Sequence, residues 1–215
     1  MKRRVFGTFC LVLGVILVLL SLASVGWILW NEERAGENAE DAMEQLLLQL
    51  EKQPVETTEP AHGELPTVAP VPGETVIAAP EELRAMPEVV IDGVSYIGYL
   101  HIPAIDLELP VIGESNPDNL EIAPCRFYGT VYQKNFVIGG HRYRKHFRKL
   151  KTLGYGEKVT FIDMEENVYT YEVADCEVIQ PYEAEYLCSG NWDLSLYTCT
   201  PGGLTRVVLR CLRTA

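Results

Sequence analysis

Ser195-Leu196-Tyr197-Thr198-Cys199 ends in a thiol, Arg206 follows seven residues later, and Gly139-Gly140-His141 lies far upstream. Attack on an amide carbonyl needs a nucleophile, a proton shuttle for the leaving amine, and positive charge where the oxyanion develops. Cys199, His141 and Arg206 match those three needs in that order. A cysteine in a strand-like run is commonly a small core hydrophobe, so its position carries the argument.

The elements around the three residues must hold them together. Leu194-Ser195-Leu196-Tyr197-Thr198 reads as a half-buried strand, and Pro201-Gly202-Gly203 stops it with strong turn signals. A thiol at such a strand end is exposed and rigidly held. The next run, Arg206 to Leu212, reads as a second strand, so Cys199 and Arg206 are expected to face each other across a hairpin.

These residues resemble the sortase family, the membrane-anchored cysteine transpeptidases of Gram-positive bacteria. The family pattern TLxTC is matched by Ser195-Leu196-Tyr197-Thr198-Cys199, with Ser in place of the first Thr. Tyr96-Ile97-Gly98-Tyr99-Leu100-His101-Ile102-Pro103 is similar to the opening G-x-L-x-I-P strand of the family. Phe136-Val137-Ile138-Gly139-Gly140-His141 is similar to its histidine-bearing strand end, and Arg206-Val207-Val208-Leu209 to its arginine strand. The resemblance covers residues 89–215.

Seven β-like runs are predicted: Tyr96 to Ile102, Leu107 to Val111, Asn135 to Ile138, Lys158 to Ile162, Val168 to Ile179, Leu194 to Cys199 and Arg206 to Leu212. Brief helices are expected near Pro117 to Ile122 and Tyr143 to Leu150. The fold class is therefore all-β dominated, a closed or nearly closed barrel, and the resemblance implies the eight-stranded sortase-type barrel.

Composition divides the 215 residues into zones: a cytoplasmic tip (1–4), a transmembrane helix (5–30), an acidic, Pro-rich stalk (31–88) and a catalytic domain (89–215). Val5 to Trp30 is a run of 26 uncharged, mostly apolar residues, enough to span a bilayer core of about 30 Å. Lys2, Arg3 and Arg4 precede it and Glu32 and Glu33 follow, which predicts a single-pass type II protein at the cell membrane with its catalytic domain extracellular. Trp27-Ile28-Leu29-Trp30 reads as an interfacial anchor rather than a cleavage site.

The zone 31–88 holds 14 acidic and 3 basic residues and 7 of the 13 prolines, a composition that argues for a spacer. A short amphipathic helix is expected over Asn38 to Lys52, with an extended stalk beyond Gln53. Of the net charge of −12, the stalk carries −11 and the catalytic domain −4, offset by +3 at the tip, so overall acidity says little about the site.

Five of the six cysteines lie beyond the membrane run, and none has CxxC metal spacing. All are expected reduced and mostly buried, although two disulfides plus one free thiol would also fit an extracytoplasmic setting. The run Arg142 to Lys151 holds six Lys/Arg with aromatics interleaved. It reads as the solvated face of a short helix with Phe147 and Leu150 inward, or an attractor of anionic wall polymers, and not as a nucleic-acid site. His146 and His101 are weighed as bases and set aside for His141. No metal or cofactor is expected; Asp163, Glu165, Glu166, Glu183 and Glu185 are the carboxylates weighed for calcium.

The resemblance implies that Cys199 cleaves an LPxTG-like sorting signal of a secreted protein through a thioacyl intermediate. An amine acceptor, such as a peptidoglycan precursor or a pilin lysine, then resolves it, anchoring the protein to the cell surface. His141 would move the proton, Arg206 would hold the substrate and stabilise the oxyanion, and Thr198 would hydrogen-bond the same carbonyl. Only 57 residues separate His141 from Cys199, leaving little room for the class B helical insertion, so a class D-like enzyme is preferred. Two rivals remain: a hydrolytic cysteine peptidase (thiol protease), and a catalytically silent, membrane-tethered wall-binding module.

Overall fold

The computed structural model describes residues 2–52 and 84–214, with 2–10 as backbone only. It consists of one long helix, α1 (Lys2–Lys52), followed by nine strands and two short helices. The strands are β1 (Val89–Ile91), β2 (Val94–Ile102), β3 (Leu107–Ile112), β4 (Cys125–Tyr128), β5 (Phe136–Gly139), β6 (Lys158–Asp163), β7 (Val168–Ile179), β8 (Leu194–Cys199) and β9 (Arg206–Arg213). The short helices are α2 (Pro117–Ile122) and α3 (Ala184–Leu187).

Neighbouring strands follow the order β1-β2-β3-β4-β5-β8-β9-β7-β6, and β2 also pairs with β6. That extra pairing closes eight strands, β2 to β9, into a barrel and leaves β1 outside on the edge of β2. Closure depends on Gly98, where β2 shifts register: its φ of +154° belongs to glycine, and a Cβ there would meet the Ile162 carbonyl oxygen.

The barrel interior is filled by alternate residues of the strands, among them Leu100, Val111, Ile138, Phe161, Leu196 and Leu209, all but fully buried. Phe136 and Phe161 meet edge-on there, centroids 5.2 Å apart. All seven predicted runs are strands, their ends displaced by two residues at most. The strands not anticipated are β4, which completes the eight, and the three-residue β1.

Residues 31–52, expected to begin a spacer, form the outer half of α1 and lie against the barrel. Ala35, Ala39, Ala42, Met43 and Leu46 are buried at helical spacing. Met43 and Leu46 pack with Val89 and Ile91 of β1 and with Tyr96 and Ile112, each large side chain worth about 1.5–3 kcal/mol. The expected amphipathic helix over Asn38 to Lys52 is part of this length; the extended stalk beyond Gln53 lies outside the described residues as far as 83.

The basic run 142–151 differs from expectation for the same reason. Lys145 pairs with Glu40 at 2.9 Å and Arg148 with Glu32, so its cations meet carboxylates of α1 rather than solvent alone. Phe147 and Leu150 point inward as predicted, from a 3-10 helix over Phe147–Thr152. Below the docked part, side chains from Leu11 to Trp30 are exposed apolar surface. Among the described residues α1 is the helix long and apolar enough to cross a membrane, which is consistent with a membrane anchor.

His146 sits in the joint between helix and barrel, 1% exposed, with Nε2 3.3 Å from the Ala35 carbonyl oxygen. Burial pushes its pKa down to about 4, with the nearby His141 adding to the effect and the Ala35 carbonyl and Glu121 opposing it. The unfolded chain takes up a proton near pH 6.5 that the folded chain refuses until about pH 4. Stability is thus full above the unfolded value and falls as pH drops through that window, by about 2 kcal/mol between pH 7 and 5. Thermal unfolding of the full chain in detergent should show this loss, and His146→Gln should remove it. An equal slope in the variant would refute the assignment.

Candidate active site

The site is built by three neighbouring strands. β5 and β8 run parallel with Gly139 opposite Tyr197, and the Gly140 amide donates to the Tyr197 carbonyl at 3.1 Å. His141 lies two residues beyond Gly139, as Cys199 lies two residues beyond Tyr197 on the neighbouring strand. β8 and β9 run antiparallel with Cys199 opposite Arg206. Strand alternation then decides the face: Leu194 and Leu196 belong to the barrel interior, whereas Tyr197 and its partner Val208 belong to an outer cluster. Cys199 and Arg206 share the parity of Tyr197, so a thiol and a guanidinium come to one outer face, and His141 follows the end of the adjoining strand β5, all three partly exposed.

Tyr197 is the floor of this face. Its ring lies over Gly139, where a Cβ would sit 2.5 Å from the ring, so the strand before His141 needs glycine. Phe127 of β4 meets the same ring edge-on, centroids 5.5 Å apart. Burial pushes the Tyr197 phenol up to about 12, with the Arg206 guanidinium opposing, so it stays protonated beside the thiol.

Arg206 is anchored by its own turn: Nη1 donates to the carbonyls of Gly203 at 3.0 Å and Thr205 at 3.1 Å. This fixes the guanidinium at the mouth of the β8–β9 hairpin, where Thr200 and Thr205 hydroxyls lie 2.8 Å apart. Thr198 has the opposite parity. It is 3% exposed and its buried Oγ1 has no protein hydrogen-bond partner.

Around His141 the structure adds groups that spacing did not indicate. Nε2 lies 3.7 Å from Oε1 of Glu121, on α2, and the ring stacks obliquely on Tyr143 with centroids 4.8 Å apart. The Tyr143 hydroxyl donates to Oε2 of Glu121 at 2.9 Å. Nineteen residues separate Glu121 from His141 with no periodicity linking them, so only the fold joins them. The other histidines lie elsewhere: His146 is the buried one at the joint, and His101 is exposed on β2, the strand diametrically opposite β8.

The five cysteines beyond α1 are all unpaired; Cys125 and Cys211 are buried. Of the carboxylates weighed for calcium, Asp163 accepts from the amides of Glu165 and Asn167, both at 2.9 Å, and from the Tyr169 hydroxyl at 3.1 Å. Glu165 pairs with Arg84 at 2.6 Å. Among the described residues no three metal-ligating side chains converge. The segment between β7 and β8 holds only the one-turn α3.

Comparison with known proteins bears on all of this. The family model for the sortase domain matches residues 100–214. A sortase A of Bacillus anthracis is 28% identical over 124 residues, covering 55% of this chain and 59% of that protein. A structure of sortase A from Corynebacterium diphtheriae superposes with a TM-score of 0.51 at 24% identity, covering 56% of this chain and 61% of that one. A Clostridium perfringens sortase C, solved with the C-terminal cell wall sorting motif, gives a TM-score of 0.51 at 26% identity over 56% of this chain and 71% of its own. The chain thus spans about three fifths of the length of the first two proteins it matches.

Proposed function

The chain belongs to the sortase family, and from that premise we propose that it is a membrane-tethered cysteine transpeptidase acting on secreted proteins that carry an LPxTG-like sorting signal. The observation that carries this reading is the adjacency of β5, β8 and β9, with His141, Cys199 and Arg206 at adjoining strand ends. The sorting motif bound by the Clostridium perfringens sortase C supports the substrate class.

In this reading the Cys199 sulfur attacks the Thr–Gly carbonyl of the signal and its proton passes to His141. The tetrahedral oxyanion forms against the Arg206 guanidinium. Collapse breaks the C–N bond, His141 protonates the departing glycine amine, and a thioester remains on Cys199. An acceptor amine then attacks the thioester, gives its proton to His141, and leaves with the acyl group as a new amide while the thiol is restored. The acceptor is a peptidoglycan precursor or a pilin lysine. Thr198, whose buried Oγ1 has no protein hydrogen-bond partner, would assist by a hydrogen bond at the same carbonyl.

The zone 1–30 serves as a type II anchor, with the barrel outside the cell. Enzyme and substrate then share one membrane surface, which raises their effective concentration. The short β7–β8 connection supports a class D-like enzyme.

Intact-mass measurement of the full chain in detergent, with LPxTG-like peptides and with or without oligoglycine, tests the reading. A thioacyl adduct that becomes a peptide–amine product is expected. Cleavage with no capture of amine would favour a hydrolytic peptidase, and no adduct with any peptide would favour a wall-binding module.

A further inference from the structure

We propose that Glu121 is a positioning residue for His141, and that the outer end of α1 helps to hold it in place. The inference rests on the transpeptidase reading of the site for its kinetic consequence, and on geometry for the rest.

Glu121 sits in the last turn of α2, whose start is fixed by Asn116 accepting from the Asn119 amide at 2.8 Å and whose Leu120 and Ile122 pack on the cluster beneath α1. Its carboxylate is divided between two tasks. Oε2 accepts from the Tyr143 hydroxyl at 2.9 Å and from Asn31 Nδ2 of α1 at 3.4 Å, while Oε1 faces His141 Nε2 at 3.7 Å. Burial and the bond to Glu121 push the Tyr143 phenol up to about 12, so it remains a donor throughout the working range of pH.

A separation of 3.7 Å lies beyond hydrogen-bond reach and within charge-pair reach. A carboxylate on that side of the ring favours the tautomer with its proton on Nε2, leaving the lone pair of Nδ1 to receive the thiol proton. Once the ring is charged, the attraction to Glu121 strengthens and holds its orientation while the leaving amine is protonated.

Two further contacts tie the helix to this arrangement. Glu32 of α1 accepts from the Arg144 amide at 3.1 Å and pairs with the Arg148 guanidinium, so it grips the segment that follows His141 from the other side. The membrane-flanking turn of α1 therefore reaches the catalytic imidazole through Asn31 and Glu121, and its loop through Glu32.

Two measurements on the full chain in detergent test this. Turnover of a sorting peptide by Glu121→Ala should fall about tenfold in kcat, as expected for loss of a carboxylate that orients an imidazole, with KM within twofold. Tyr143→Phe should fall less, in the same direction. Glu121 is exposed, so folding is not at stake. Nitrogen-15 spectra of histidine-labelled protein, with the His141 signals assigned by His141→Gln, should show the proton on Nε2 in the wild type and a mixture in Glu121→Ala. Unchanged kcat, a change confined to KM, or identical tautomers in the two proteins would overturn the proposal. Failure of the transpeptidase reading would appear instead as a wild type without turnover, and the spectra would still decide the role of Glu121.

Discussion

Cys199→Ala is expected to leave no covalent adduct with any sorting peptide and to lower amine capture at least about a thousandfold, as loss of a nucleophile does. The chain offers four other thiols outside α1's apolar run, and the structure separates Cys199 from each. Burial pushes the thiols of Cys125 and Cys211 up to about 12, so they keep their protons. Cys188 is also raised by burial, with Arg210 opposing, and packs on the outer cluster with Tyr197. Cys176 is exposed on β7, its thiol raised by burial and by Asp175. Cys199 is the thiol that lies directly opposite Arg206, on the strand that pairs with the one leading into His141. Cys176→Ala and Cys188→Ala should therefore retain most of the activity, and intact mass of the three variants reads the difference. A full-mass adduct on Cys199→Ala would move the nucleophile elsewhere.

Arg210→Ala should produce the largest loss of stability. Arg210 is 1% exposed, and its guanidinium donates to Glu177 Oε1 at 2.8 Å, the Leu187 carbonyl at 2.8 Å, Ser195 Oγ at 3.0 Å and the Tyr186 carbonyl at 3.4 Å. One side chain on β9 thus joins β7, the end of α3 and the start of β8. It also lies 5.5 Å from the Tyr186 ring centroid and 5.9 Å from that of Trp192. Removing it strands two carbonyls and the Ser195 hydroxyl; Glu177 is partly exposed and can turn to water, which lightens the cost. A loss of about 3 kcal/mol is expected, at the low end for a broken buried pair, or a fall of roughly 10 °C in Tm for a domain of this size. Near-UV circular dichroism of the full chain in detergent measures it, and a shift within 2 °C, small on that scale, would contradict the network.

Arg210 also gives the hydroxyl at Ser195 a partner. What that position needs here is a hydroxyl within reach of the guanidinium, and Ser supplies it in a fully buried setting.

Much of the barrel was legible because its strands are long or strongly alternating: β7 and β8 have the expected bounds. β4 was missed because it is four residues long and meets β3 through a single paired position, Ile112 with Cys125. Such a strand exists through its neighbours, not through any pattern of its own. The outer half of α1 was read as spacer because its carboxylates suggest solvation; the cations that complement them lie about a hundred residues away, in the run 142–151. Cys199, His141 and Arg206, the proposed site residues, stand out in the sequence through residue type and flanking turns. Glu121 and Tyr143 carry no such signature.

The place of β9 bears on when the enzyme can first act. In chain order Arg206–Arg213 is the last strand, yet in space it lies between β8 and β7, which have no other bridge. During synthesis, which proceeds from the N-terminus, every earlier strand can be present while the wall is still split at that seam and Cys199 lacks its guanidinium. On the proposed mechanism a half-made molecule therefore lacks the group that would stabilise the oxyanion. On that mechanism the last of the described strands shuts the cylinder and brings Arg206 opposite the thiol in a single event, and nascent chains halted before Arg206 should be inert toward sorting peptides.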